Sequence, residues 1–483
     1  MGWTFQRWKE LVLSGGLVAP AAVDDQEFVF GDRDFTPIER KEIRVGLREF
    51  LCAGQGTWKK DGGVKPKPRG LDPEVKKILE WVPKGMLRRP KAVLKPGTDP
   101  RRHVGTFWEL EDFRGIREDF FDLLVETKVL EEIAVGHMRK HNTFHGDQIC
   151  EAGCRKLGIE EAKIREWIDG VSFDVDEDLP HYSEPPYANL GETLEVFKMA
   201  VTEVNRNLKA GKILPLTAIP WVENRTTAVV KVAPLEPSGL KWRTCVDMTA
   251  SAVNWSVEGE KFGLPTVSMI VEKLGPGYVI VKMDLQDMFL SWKLHPERWV
   301  LFGFRHPITS QSYVYPVLPF GFTLSPPIAC RNTQLMADII EAEMQARWEG
   351  RPGNPGLVQV ERLAPVPAAS PKPKPASSVY VDDYANSAVD EPWIDEMIRV
   401  AAEVFVLVGV IEKVTKREGP SRAMDLLGLH FDPRTHELSI PECKCKEIMV
   451  LLAGMLARVD SQQSVSWHEL ESMTGKLMWA ATA

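Results

Sequence analysis

Several common targeting and stabilising signals are missing from this chain. No apolar run reaches the roughly eighteen residues that a membrane-spanning helix needs, and the first residues do not follow the basic-then-apolar pattern of a secretory signal. Gln6 stands where N-myristoylation requires Ser or Thr. There are only seven cysteines in 483 residues, an odd number without a closely paired framework. We therefore expect an intracellular protein of a reducing compartment, in the cytoplasm, the nucleus or both, with no membrane partner.

The chain also has no overall excess of positive charge. Its net charge is −8, which argues mildly against electrostatic steering towards phosphate backbones. Basic residues are concentrated in 59–103, where fourteen Lys or Arg stand against five Asp or Glu, together with Trp81. This stretch predicts either a nucleic-acid or nuclear-localisation patch, because cations contact phosphates and Trp rings stack on bases, or a solvated linker.

Three aspartates at the ends of two apolar segments are the most informative feature that is present. Asp284 follows the strand-like run 279–283, and Asp382 and Asp383 follow 379–381 and precede another apolar run. This pattern predicts a hairpin with the Asp pair at its turn, and Asp382 facing Asp284 across the sheet. Carboxylates are ligands for Mg²⁺, so the arrangement indicates a two-metal site for phosphoryl transfer. Taken alone, an Asp-Asp pair is more often just a polar turn.

Six segments, which include these aspartates, follow one another in a characteristic order. They are 241–248 (KWRTCVDM), 284–289 (DLQDMF), 318–326 (LPFGFTLSP), 380–383 (YVDD), 426–431 (LLGLHF) and 465–477 (VSWHELESMTGKL). In this order they resemble reverse transcriptases, and the match runs from about Asp174 to the end of the chain. Among these enzymes the chain is most similar to those of retrotransposons, in the tyrosine-recombinase (DIRS-like) group.

The resemblance implies roles for individual residues. Asp284 and Asp382 would ligate two Mg²⁺ ions, or Mn²⁺ in their place, and Asp383 would support the same metal site. The incoming dNTP would be bound by Lys231, Arg243, Asp287, Phe289, Phe320 and Gly321. A guanidinium beside the triphosphate also makes chemical sense, because its forked donors match phosphate oxygens. In isolation, a basic residue beside Trp242 more often belongs to a solvated strand face.

Phe289 bears most on the choice of substrate. The resemblance implies that its ring lies under the sugar of the incoming nucleotide, where it would clash with a 2′-hydroxyl and favour DNA synthesis. The alternative is that Phe289 is an ordinary core residue. Gly321 would let the backbone pass close to a ligand, and Ser325 would cap a helix that starts at Pro326. Many relatives have Gln in place of Phe320, so the resemblance leaves the role of this ring open.

A lysine near the leaving pyrophosphate is a further implication of the resemblance. Lys413 and Lys416 are the two candidates, and the sequence does not choose between them. A solvated loop lysine is an equal alternative for either residue.

Histidines and cysteines between residues 137 and 154 are spaced so that a zinc site is conceivable. They are His137, His141, His145, Cys150 and Cys154. The spacing fits no standard zinc finger, so incidental placement on helix surfaces is the favoured interpretation.

The predicted fold is α+β: a right-hand polymerase with fingers, a palm whose antiparallel sheet is backed by helices, and a partial thumb, plus a mostly helical N-terminal extension. We expect the extension at 1–170, fingers and palm at 171–440, and the start of the thumb or connection helices at 441–483. Residues 349–378 hold seven prolines and predict an extended surface insertion that does not pack, or else a site where a partner docks.

Helix-capping signals accompany the motifs. Asp390 and Gly409 are expected to bound a helix behind the hairpin, and Ser466 with Glu469 to form a capping box.

We therefore expect an RNA-directed DNA polymerase of a retroelement, a nucleotidyltransferase that adds dNTPs to a primer 3′ end. Its expected partners are an RNA or DNA template, a primer strand and dNTPs. No ribonuclease H motif follows the last helical pattern, so we expect a fragment, a truncated copy or a polymerase that uses a separate ribonuclease H, and the sequence does not choose among them. A separate integrase or recombinase is a further candidate partner. Two alternatives stay open: a catalytically silent or domesticated nucleic-acid-binding protein, and a polymerase that makes RNA, which would require Phe289 to tolerate a 2′-hydroxyl.

Overall fold

The computed structural model describes residues 71–81, 90, 92–176, 178–183, 193–232, 240–259, 262–274, 278–359, 363, 374–435, 437–461 and 463–480. For residues 228–232 and 240–243, the structure describes the backbone only. Much of the basic stretch 59–103 lies outside the described residues. One compact unit reaches residue 422 and includes 433–435, and a second contains 423–432 and 437–480.

The first unit contains both helices and strands. Its α-helices are α1 (Pro73–Trp81), α2 (Glu118–His141), α3 (Glu151–Lys156), α4 (Glu161–Asp169), α5 (Leu194–Lys209), α6 (Val267–Lys273), α7 (Ser325–Trp348) and α8 (Glu391–Val408). Its strands are β1 (Val93–Leu94), β2 (Tyr182–Ser183), β3 (Leu214–Leu216), β4 (Ile219–Pro220), β5 (Val222–Glu223), β6 (Arg225–Val232), β7 (Leu240–Asp247), β8 (Val279–Asp284), β9 (Gly303–Arg305), β10 (Ser312–Val314), β11 (Ala376–Tyr380), β12 (Asp383–Ala388) and β13 (Glu418–Ser421). The fold mixes helix and sheet, as the sequence predicted.

The second unit has its own small sheet and two helices. The elements are β14 (Met424–Leu426), β15 (Leu429–Asp432), β16 (Glu437–Ser439), α9 (Glu442–Asp460) and α10 (Trp467–Ala480). The strands pair antiparallel in the order β14-β15-β16. Ahead of α10, the Ser466 amide donates to Glu469 Oε2 at 2.9 Å and the Glu469 amide donates to Ser466 Oγ at 3.2 Å. The predicted capping box is therefore confirmed.

Among the helices that the structure describes, none has both the length and the apolar composition needed to cross a bilayer.

A four-stranded antiparallel sheet of order β11-β12-β8-β13 carries the aspartates. Most of β8 is buried, because all of its residues before Asp284 are apolar except Lys282. Helices α7 and α8 pack against this sheet. Tyr384 on β12 joins both, since its hydroxyl donates to Thr333 O on α7 at 2.8 Å and its ring packs against Phe405 on α8 at 5.0 Å. The helices thereby fix the position of the β11–β12 hairpin.

Helix α8 has the ends that the sequence predicted. The Asp390 side chain accepts a hydrogen bond from the Trp393 amide at 3.2 Å, which satisfies one of the first amides of the helix. Gly409 follows the last turn with a φ of +93°, a left-handed conformation that glycine adopts without strain.

Helix α7 starts differently from the prediction. Ser325 is its first residue rather than its cap, and the residue before it makes no side-chain capping bond. The Ser325 hydroxyl donates instead to Pro319 O at 2.8 Å. Ser325 therefore ties the preceding loop to the helix, and the predicted cap was wrong.

The described part of the N-terminal region packs within the first unit. Helix α2 lies against α5, and Thr127 Oγ1 donates to Asn205 Oδ1 across this contact at 2.6 Å. A separate apolar cluster joins α1, α2 and α5, with Ile78, Phe120 and Phe197 among its members. The predicted helical character of residues 71–170 is seen in α1 to α4.

A fully buried carboxyl lies on α2. Glu131 accepts a hydrogen bond from Trp108 Nε1 at 2.8 Å and another from the Tyr313 hydroxyl on β10. Burial raises the pKa of Glu131 from its usual 4.5 to about 8, although both hydrogen bonds and nearby Lys128 oppose that change. The carboxyl is therefore protonated in the folded chain at neutral pH.

This buried carboxyl predicts a stability that depends on pH. Between about pH 4.5 and 8 the folded chain holds a proton on Glu131 that the unfolded chain has released. Raising the pH through this window is expected to lower the free energy of unfolding, by at most about 1.4 kcal/mol per pH unit. Urea unfolding at several pH values should show this slope in the parent and a flatter one in Glu131→Gln. Equal slopes in the two proteins would show that Glu131 does not hold the proton.

Residues 350–359 lie at the surface, as the predicted insertion would, with most of them exposed, but hydrogen bonds anchor them. The guanidinium groups of Arg347 on α7 and Arg399 on α8 both donate to Val358 O, at 3.0 and 3.1 Å. A backbone that lies against protein needs such partners in place of water. The arginines supply them here, so the chain is held on α7 and α8 at this point.

The segment is also anchored where it returns to the sheet. Tyr278 Oη donates to Lys374 O at 2.7 Å, and the Ser377 amide donates to Glu341 Oε2 on α7 at 3.0 Å. Most of the prolines that suggested an extended insertion, those between 364 and 373, lie outside the described residues. The predicted docking role for a partner stays a prediction.

Candidate active site

The aspartates meet where strand β8 ends beside the turn of the β11–β12 hairpin. Asp383 is the residue in register with Asp284 on β8, and Asp382 lies in the turn. The prediction that Asp382 faces Asp284 across the sheet was therefore wrong by one residue. Val381 precedes the pair with a φ of +61°, a conformation that is strained for a β-branched side chain. This turn gives the two adjacent aspartates different surroundings.

A cavity of about 230 Å³ lies next to this turn. Asp284 and Asp382 line it, and Asp287 joins them from the loop after β8. Asp383 is not among its lining residues. The structure thus brings together three of the four aspartates that the sequence singled out.

The cavity also holds cations close to the carboxylates. Lys416 Nζ lies 2.5 Å from Asp284 Oδ2, and Asp284 itself is only 5% exposed. Lys413 lines the same cavity, and its amide donates to Asp284 O at 2.8 Å. Both lysines that the sequence left as alternatives are therefore at the site, and Lys416 is the one paired with a carboxylate.

The charges of the aspartates affect one another. Burial raises the pKa of Asp383 to about 6, and the negative charges of Asp382 and Asp284 add to this rise. Lys282 opposes it, because its ammonium stabilises the ionised carboxylate. Three carboxylates gathered in this way favour the binding of further positive charge.

The donors of the cavity match the preference of Mg²⁺. Asp284 and Asp382 offer carboxylate oxygens, which are hard ligands. Within the residues that the structure describes, no group of three or more His, Cys, Asp or Glu side chains could hold a metal ion as placed. The donor type alone therefore suits Mg²⁺, and one oxygen of Asp284, Oδ2, already contacts Lys416.

The zinc hypothesis finds no support. The rings of His137, His141 and His145 cluster. The centroid of the His137 ring lies 4.7 Å from that of His141 and 3.8 Å from that of His145. Burial, together with the neighbouring His145 and His141, lowers the pKa of His137. These rings and both cysteines, Cys150 and Cys154, are among the described residues, where no three-ligand group forms.

Two aromatic rings form one wall of the cavity. Phe289 and Phe320 both line it, and their ring centroids are 5.2 Å apart with the planes at 74°. Both rings are partly exposed and pack on the main apolar core. Phe289 is thus neither an isolated surface ring nor a fully buried core residue.

Gly321 makes a close approach to protein backbone. Its φ is +103°, and a Cβ there would lie 1.9 Å from Val246 O on β7. The Val246 amide in turn donates to Phe320 O at 2.9 Å. The sequence suggested that glycine lets the chain pass close to a ligand, and the close neighbour in this structure is strand β7.

Lys231 and Arg243 lie on the β6–β7 hairpin. Arg243 pairs with Val229 across the hairpin, and Lys231 pairs with Lys241. The side chains of both predicted triphosphate ligands are outside the described residues, so their role stays a prediction.

Sequence reasoning missed the contribution of α5. Glu203 and Arg206 line the cavity and form an ion pair at 2.5 Å. Burial raises the pKa of Glu203, and Asp287 adds to the effect. The available signal was an oppositely charged pair three residues apart on a helix, a common surface pattern that does not by itself point to a site.

No protein family model matches the chain, and no curated protein matches it. Among solved structures it is similar to a foamy viral protease-reverse transcriptase dRH in complex with double-stranded DNA, with a TM-score of 0.43 and 15% identity over 86% of this chain and 54% of that one. It is also similar to a foamy viral protease-reverse transcriptase in complex with an RNA/DNA hybrid, with a TM-score of 0.43 and 14% identity over 86% of this chain and 42% of that one. A third similar structure is the native protease-reverse transcriptase of prototype foamy virus, with a TM-score of 0.36 and 16% identity over 65% and 39% of the two chains. The chain thus spans about half, or less, of the length of these proteins.

Proposed function

We propose that the chain is an RNA-directed DNA polymerase of a retroelement that adds dNTPs to a primer 3′ end. The observation that carries this proposal is the meeting of Asp284, at the end of β8, and Asp382, in the turn of the β11–β12 hairpin, in a single cavity that Phe289 also lines. Carboxylates, cations and an aromatic wall in one cavity suit a substrate that has a triphosphate, a sugar and a base.

In this proposal the architecture is a right hand. The palm is the β11-β12-β8-β13 sheet with α7 and α8, and the fingers include the β6–β7 hairpin. Helices α9 and α10 of the second unit are the start of a thumb or of connection helices. The template, the primer strand and dNTPs are the proposed partners.

The chemistry joins the primer 3′ oxygen to the α-phosphorus of the dNTP and breaks the bond to the β-phosphate, so that pyrophosphate leaves. Asp284 and Asp382 would hold two Mg²⁺ ions, which supply positive charge that favours loss of the hydroxyl proton and stabilises the leaving oxygens. Lys413 and Lys416 lie at the same cavity, where an ammonium would donate a proton to the pyrophosphate. Phe289 would lie against the sugar and exclude a 2′-hydroxyl.

Primer extension tests the proposal directly. The purified chain is incubated with poly(rA), an oligo(dT) primer, dTTP and Mg²⁺, beside an Asp382→Asn, Asp383→Asn double variant. We expect extension by the parent alone, and a parallel reaction on poly(dA) measures the preference for an RNA template. If neither protein extends the primer while both still bind the duplex, the chain is a silent nucleic-acid-binding protein.

A further inference from the structure

Hydrogen bonds fix the backbone around Phe320. Its carbonyl accepts the Val246 amide at 2.9 Å, and Asn254 Nδ2 donates to the next carbonyl, that of Gly321, at 2.9 Å. The contact between Gly321 and β7 leaves no room for the loop to move towards that strand. The backbone of Phe320 is thus held against β7, and its ring lines the cavity.

Phe289 stands at the start of a short element. It begins the single 3₁₀ turn Phe289–Ser291, which follows Asp287 with a φ of +51°. The ring of Phe320 meets the ring of Phe289 at 5.2 Å and 74°, an edge-to-face geometry that aromatic pairs favour. The ring of Phe320 is therefore positioned to limit the rotation of the Phe289 ring on the cavity side.

A ring excludes a hydroxyl only when it cannot turn aside. A Phe side chain that loses a neighbouring ring gains access to other rotamers, and a 2′-hydroxyl needs only a small displacement to fit. We infer that Phe320 is a positioning residue for sugar selection: it holds the ring of Phe289 where that ring excludes a ribonucleotide. This inference rests on the proposed function.

The inference predicts coupled effects on sugar selection. Selection is measured as kcat/KM for dTTP divided by kcat/KM for UTP in single-nucleotide addition. We expect Phe289→Ala to lower this ratio by roughly tenfold or more, and Phe320→Ala to lower it by roughly two- to tenfold, the range that one aromatic pair corresponds to. The double variant should match Phe289→Ala within about twofold, since Phe320 acts only through the other ring.

Two further variants distinguish a loss of ring positioning from a general loss of stability. Phe320→Tyr keeps the ring and should keep the parent ratio. Phe121→Ala makes the same change at a partly buried ring that packs in the separate α1–α2–α5 cluster, and it too should keep the parent ratio even if it lowers the melting temperature.

Three outcomes would overturn the inference: an unchanged ratio in Phe320→Ala, a double variant whose loss is the product of the single losses, or an equal loss in Phe121→Ala. Failure of the parent to extend a primer with dTTP is a separate result, because it refutes the proposed function. In that case a ¹⁹F-labelled Phe289 ring still tests the contact. Its resonance should shift in Phe320→Ala and stay in place in Phe121→Ala, and an unshifted resonance in Phe320→Ala would refute the positioning itself.

Discussion

Asp382→Asn is expected to lower primer extension roughly 10³-fold, and Asp383→Asn is expected to lower it much less. Asp382 lines the cavity with Asp284, whereas Asp383 pairs in register with Asp284 and is not a lining residue. Metal-assisted phosphoryl transfer draws several kcal/mol from the charge that such carboxylates hold in place, and about 4 kcal/mol corresponds to 10³-fold in rate. Asn keeps the shape of Asp and removes that charge.

The two variants form a matched pair because they make the same change at adjacent positions. Single-nucleotide addition gives the rates, and urea unfolding gives the stability. Removing either charge relieves repulsion among the carboxylates, so the free energy of unfolding is not expected to fall. Equal losses of activity, or a larger loss in Asp383→Asn, would show that the turn does not distinguish the two aspartates as the cavity indicates.

Gly321→Ala is expected to destabilise the first unit by at least about 3 kcal/mol. A methyl group at this position would lie 1.9 Å from Val246 O, and the φ of +103° is strained for any residue with a Cβ. To relieve this overlap, β7 or the loop that carries Phe320 must move. Either movement breaks the hydrogen bond from the Val246 amide to Phe320 O. Denaturant unfolding measures the loss.

Gly259→Ala provides the control for this change. A Cβ at Gly259 meets nothing within 4 Å, and its φ is outside the left-handed region. We expect a change in the free energy of unfolding within about 1 kcal/mol there. A Gly321→Ala protein as stable as this control would mean that the loop does not approach β7 as closely as described.

The local parts of the fold could be predicted, because the residues that decide them are neighbours in sequence. Asp390 and Gly409 lie at the two ends of α8, and the apolar runs beside Asp382 and Asp383 mark the hairpin arms. The register could not be predicted to the residue. It depends on a turn in which Val381 adopts a positive φ, and propensity argues against that conformation for a β-branched side chain.

Contacts between distant segments account for the features that sequence reasoning missed. Phe289 meets Phe320, 31 positions later, only because β7 holds the second ring in place. Arg206 reaches the cavity from a helix far upstream of the aspartates. Val358 is anchored because arginines on α7 and α8 donate to its carbonyl, and the proline content of the segment does not predict this contact.

The anchors on either side of the proline-rich segment have a consequence for how this chain can vary. Val358 is tied to α7 and α8, and Lys374 and Ser377 are tied to Tyr278 and α7, before the chain enters β11. A change in the number of residues between these anchors alters a loop-closure entropy that grows only slowly with length. The anchors hold the β11–β12 hairpin in place. Evolution can therefore lengthen, shorten or rewrite this interval, and an experimenter can place an affinity tag or a fluorophore in it, while the geometry around Asp382 is retained.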